Sequence, residues 1–183
     1  VRDVLAQMQG DLIYTANLSL EQREDSAQGS TLVIDSDLVG SALNLPQPFG
    51  KTFEETADLH IELQFGNEQF VTGNFGDNVQ FELGMEEGTV NDGIVLVGSY
   101  DSPLSSFSET DNNVILIVGE MGRLVVEEWV AFLGELNSTS NTSADISNAI
   151  EFVDVQLDIL ELYEQELPGV AMRLEGDEST QSW

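Results

Sequence analysis

Strict period-two alternation is what most constrains this chain. Leu12, Tyr14, Ala16, Leu18 and Leu20 alternate with Ile13, Thr15, Asn17, Ser19 and Glu21. Leu59, Ile61, Leu63 and Phe65 alternate with His60, Glu62 and Gln64; Val79, Phe81 and Leu83 with Gln80 and Glu82. Near the end, Val153, Val155, Leu157 and Ile159 alternate with Asp154, Gln156 and Asp158, and Val170, Met172 and Leu174 with Ala171 and Arg173. Successive side chains of a strand point to opposite faces, so each segment predicts a strand with one apolar and one wet face.

Thr31–Ile34, Ile94–Val97 and Val114–Val118 are apolar on both parities and predict strands covered on both sides. Turn signals recur at roughly ten-residue intervals, among them Gly76-Asp77-Asn78 and Asn91-Asp92-Gly93. The expected fold is mainly β: a curved, twisted antiparallel sheet, open and groove-like, with one amphipathic helix. That helix is expected at about 124–136, where Val125, Trp129, Phe132, Leu133 and Leu136 recur at three- and four-residue intervals. Val125, Trp129, Phe132 and Leu136 are its packing candidates. The Ser/Thr/Asn-rich stretch 137–147 reads as a surface loop, and no second domain boundary is visible.

Charge narrows the function. Asp and Glu number 34 against 5 Lys and Arg, a net charge of -29. Nucleic-acid binding relies on cations that displace condensed counterions, so it is excluded as a partner class. A basic docking patch for anionic lipid is excluded in the same way. There is no Cys and a single His, His60, which rules out thiolate chemistry and multi-His metal sites. Asp35-Ser36-Asp37-Leu38-Val39-Gly40 opens like a calcium loop, but Val39 stands where ligand five belongs, so the ligand set fails. No phosphate-binding glycine loop and no marked carboxylate pair appear. The expectation is no metal, no cofactor and no catalytic residue.

With 41% hydrophobic residues the chain can pack, yet one short helix cannot cover this much apolar strand surface. Two arrangements answer that. In one, two sheets close on each other as a sandwich, a structural or interaction module. In the other, a curved sheet keeps an apolar concave face for an apolar ligand. A carbohydrate-active domain using the many carboxylates is a third reading.

Three stretches carry a family resemblance. Ser36-Asp-Leu-Val-Gly-Ser-Ala-Leu-Asn-Leu-Pro-Gln-Pro-Phe-Gly-Lys51 resembles a Ser-Asp-Leu-x-Gly strand running into Leu-Pro-x-Pro-x-Gly-Lys. Ile115-Leu-Ile-Val-Gly119 through Leu124-Val-Val-Glu-Glu-Trp129 is similar to a glycine-containing strand followed by a Trp-bearing helix. Val153-Asp-Val-Gln-Leu-Asp158 and Leu167-Pro-Gly-Val-Ala-Met-Arg173 resemble the paired strands that follow it. Together they resemble the large AsmA-like proteins of the YhdP type from Gram-negative bacteria. The resemblance implies an internal segment of a periplasmic protein anchored in the inner membrane by a part outside this chain. It implies non-enzymatic phospholipid transport toward the outer membrane along an apolar β groove, in support of the outer-membrane permeability barrier. Phospholipid acyl chains are then the expected partner. The candidates to meet them are Leu18, Leu20, Leu32, Ile34, Leu59, Ile61, Leu63, Phe65, Phe81 and Leu83.

Overall fold

The structure, a computed structural model, describes residues 7–20, 29–66, 69–86, 89–98, 114–139 and 150–175, with backbone only for 136–139, 150, 151 and 175. Its strands are β1 (Met8–Gly10), β2 (Thr15–Ser19), β3 (Ser30–Ser36), β4 (Ser41–Leu43), β5 (Leu59–Phe65), β6 (Gln69–Phe75), β7 (Val79–Glu86), β8 (Thr89–Gly98), β9 (Ile115–Val125), β10 (Ile150–Leu162) and β11 (Gln165–Glu175). The helix α1 is Val126–Thr139. It follows β9 directly, so Leu124 and Val125 close the strand. The loop expected at 137–147 is helical through Thr139 and lies outside the described residues from 140 on.

Nine strands form one open, curved sheet in the order β11-β10-β9-β8-β7-β6-β5-β3-β2. The sheet is mixed rather than purely antiparallel. From β2 to β8 every neighbouring pair is antiparallel, and β5 to β8 is a plain meander. Then β9 lies parallel to both β8 and β10. Alternation fixes a strand's faces but not its direction; direction depends on whether the connection is a tight turn or a crossover. Between β9 and β10 that crossover contains α1, a β-α-β unit.

The second sheet is only a two-stranded ribbon, β1 with β4, extended by a bridge between Leu43 and Lys51. The described residues therefore form no two-sheet sandwich. The ribbon belongs to the connection between β3 and β5, where the Leu-Pro-x-Pro-x-Gly-Lys stretch lies. The amides of Phe49 and Gly50 donate to Pro46 O at 3.0 and 3.2 Å, which turns the chain there. Lys51 is only 7% exposed. Its ammonium donates to Ser41 O at 2.5 Å and Thr52 O at 3.0 Å, so the buried cation is met by backbone carbonyls. The turn swings Phe49 over the main sheet, against Val97, Met121, Val155 and Leu157. These four form the main buried cluster. Ile94, Leu96 and Val118 form a second one on the other face, as the doubly apolar segments predict.

Candidate functional site

Cross-strand partners share a face of a sheet, so the register shows whether the apolar faces of different strands coincide. They do. One row runs Ala16, Ile34, Ile61, Gly73, Phe81, Val95, Ile117, Val153, Leu174, one position from each of the nine strands. A parallel row runs Leu18, Leu32, Leu63, Val71, Leu83, Gly93, Ile115. A third runs Ser36, Leu59, Phe75, Val79, Val97, Gly119, Val155, Met172. Ser36 is the only polar side chain in the three rows, and none of their positions is ionisable. The opposite face carries Asp35, His60, Glu62, Glu82 and Asp154 in its own rows. There His60 Nδ1 meets Asp35 Oδ1 at 2.7 Å.

The continuous face is covered at one end and bare toward the other. Over β8 to β11 it is packed under Phe49, and Val155 is 1% exposed. Over β3 to β7 its side chains are half-buried, and at the edge strand Leu18 is 59% exposed. At ~4.8 Å between strands, the five strands from β2 to β7 span roughly 19 Å. The bare half holds seven of the predicted residues together: Leu32, Ile34, Leu59, Ile61, Leu63, Phe81 and Leu83. Leu18 closes its row on β2. Phe65 ends β5 and is 42% exposed, while Leu20 lies past the end of β2 and is 67% exposed. Leu12 and Tyr14 precede β2 and are not in a strand.

Sequence reasoning missed β6. Its Gln69-Phe-Val-Thr-Gly-Asn-Phe75 shows no clean alternation, yet Val71, Gly73 and Phe75 occupy the three rows. The signal was a glycine standing in phase between two apolar residues. A Cβ at Gly73 would lie 2.4 Å from His60 O and 2.8 Å from the Phe81 ring, so Phe81 closes over the glycine and keeps the row continuous.

The covered half is pinned by α1. The Trp129 ring stands edge-on to Phe49 at 5.7 Å and to Phe132 at 6.0 Å. Its indole N–H donates to Gln47 O at 3.3 Å. Trp129 thus meets the β3–β5 connection, and that connection meets the sheet. The side chain of Leu136 lies outside the described residues. At the start of α1, Glu127 Oε1 accepts the Tyr163 amide at 2.5 Å, which ties the helix to the β10–β11 turn. Beneath that turn Arg123 is held by Glu161 and Glu166; these hydrogen bonds raise its guanidinium pKa above the ordinary value. Among the described residues no cluster of His, Asp and Glu could hold a metal ion.

A family model described as YhdP protein matches residues 2–183, nearly the whole chain. The chain belongs to the YhdP family. No curated protein and no solved structure gives a match. In this YhdP-family chain no described helix is long and apolar enough to cross a membrane. The Leu-Pro-x-Pro-x-Gly-Lys stretch, the most specific part of the sequence resemblance, is the turn that carries Phe49 onto the sheet.

Proposed function

We propose that this chain is a periplasmic segment of an inner-membrane-anchored protein that carries phospholipid between the inner and outer membranes, without catalysing a reaction. The acyl chains lie against the bare apolar face of β2 to β7, and the acidic opposite face stays in water. One observation carries the proposal: three apolar rows stay in phase from strand to strand, one of them across all nine, while cover is provided over only part of them. Burying a carboxylate against acyl chains would be costly, and the rows have none. Membership of the YhdP family supports the same function.

The test is a photoreactive amino acid in the full-length protein in cells. Placed at Ile61 or Leu63 it captures phospholipid. Placed at His60 or Glu62, on the other face, it does not. Equal capture at both pairs, or capture at neither, would sink the proposal.

A further inference from the structure

Charge around the bare face goes further than its apolarity. Phosphate-bearing headgroups held by a protein ordinarily meet Arg, Lys or a helix N-terminus. The chain has five Lys and Arg in all. The three among the described residues are engaged elsewhere. Lys51 is buried on two carbonyl oxygens. Arg123 is paired with Glu161 and Glu166. Arg173 lies over the Phe152 ring at 5.0 Å and stands in the row opposite Asp154, on the other face. None of the described cations stands in the apolar rows.

Carboxylates, in contrast, flank the ends of the strands that form the bare face. Exposed Asp37 and Asp58 line a cleft at the ends of β3 and β5, which takes in Ser36 and Leu59 of the third apolar row and Asp35 and His60 of the opposite face. Asp77, in the turn between β6 and β7, lines a depression with His60, Asn74 and Gln80 of the opposite face and adds to the negative charge at the same strand ends. These groups build no binding site of their own; they set the sign of the field where a headgroup leaves the face. At physiological ionic strength that field reaches about 8 Å, so it acts on a headgroup lying beside these carboxylates.

We infer, resting on the lipid-carrying function proposed above, that the bare face takes the acyl chains and that the carboxylates at its strand ends favour a net-neutral headgroup over a net-anionic one. A phosphodiester balanced by its own ammonium has no net charge for the rim to repel. A phosphatidylglycerol headgroup keeps its charge uncompensated among carboxylates.

The experiment uses purified full-length protein with the photoreactive residue at Ile61. It is irradiated with vesicles of phosphatidylethanolamine and phosphatidylglycerol in equal amounts and with identical acyl chains, and adducts are counted by mass spectrometry. Both lipids share one vesicle, so repulsion of the whole vesicle cancels. The expected ethanolamine-to-glycerol adduct ratio is about 3 to 10 at low salt, falling toward one near 1 M salt, where screening shortens to ~3 Å. The variant Asp58→Lys lowers the low-salt ratio toward one. A wild-type ratio of one or less at low salt overturns the headgroup preference and leaves lipid carriage standing. So does a ratio that neither salt nor charge reversal moves. Adducts of neither lipid overturn lipid carriage itself, and the preference with it.

Discussion

The rings of Phe49 and Trp129 meet edge to face, centroids 5.7 Å apart and planes at 83°. This contact joins two parts of the chain that never pair as strands: the turn after Pro48 and the helix after β9. Phe49 in turn packs on Val97, Met121, Val155 and Leu157. Trp129→Ala is expected to cost about 3 kcal/mol, the lower end for a large aromatic truncated in a core, because Trp129 is half-buried. A cycle with Phe49→Ala should show coupling of about 0.5–1.5 kcal/mol. Denaturant melts giving less than about 1 kcal/mol for Trp129→Ala would mean that the helix does not hold the turn in place.

Covered and bare halves of the same face should respond differently to the same truncation. Leu157, at 2% exposure, should cost about 2–5 kcal/mol as Leu157→Ala. Leu63, half-buried on the bare half, should cost less than about 1.5 kcal/mol as Leu63→Ala, since less area is removed and no closed cavity is left. Urea unfolding of both variants checks this; similar losses would mean that the bare half is packed after all.

Gly119 sits in the third row at φ 144°, and a Cβ there would lie 2.0 Å from Val97 O. Both the conformation and the space demand glycine. Gly119→Ala should cost at least about 2 kcal/mol and loosen the β8–β9 pairing. Gly40, at φ 77° with nothing near its Cβ position, isolates the conformational part. Gly40→Ala should cost only about 1–2 kcal/mol. Thermal melts and amide exchange of Val97 report the difference, and equal effects at the two sites would contradict it.

The Thr52 amide and hydroxyl both donate to Glu55 Oε2, at 2.7 and 3.0 Å. These bonds hold the Glu55 carboxyl below its ordinary value. The folded state then binds the proton more weakly than the unfolded chain, so the contribution is present at neutral pH. It is lost as pH falls through the lowered folded value. Wild type should therefore melt above Glu55→Gln at neutral pH, and the gap should shrink as the solution is acidified through the lowered folded value. A gap that widens with acid would reverse the assigned sign.

Much of this was legible without coordinates. Alternation in β5, β7, β10 and β11 depends only on the geometry of an extended chain, so period two marks those strands and their apolar faces wherever they lie. The same logic made β8 and the start of β9 doubly apolar, and both of their faces are indeed buried around Leu96 and Val97. It failed at β6, where Gly73 leaves a gap in the pattern that the Phe81 ring, a partner on another strand, fills.

The order of residues dictates the apolar faces one strand at a time, because a residue's face follows from its own extended backbone. Whether those faces join, which way β9 runs, and where cover stops are decided between residues far apart in the chain. Ile34 and Leu174 stand in one row only because seven registers in succession agree. A slip of one residue in any of them would have turned part of the row to the acidic side. Likewise Phe49 covers β8 to β11 because Trp129, eighty positions along the chain, is there to meet its ring, and no local pattern around either residue encodes that distance. The bare face of β2 to β7 is therefore a product of tertiary structure: strand periodicity makes it apolar, and the placement of the β3–β5 connection and α1 leaves it open.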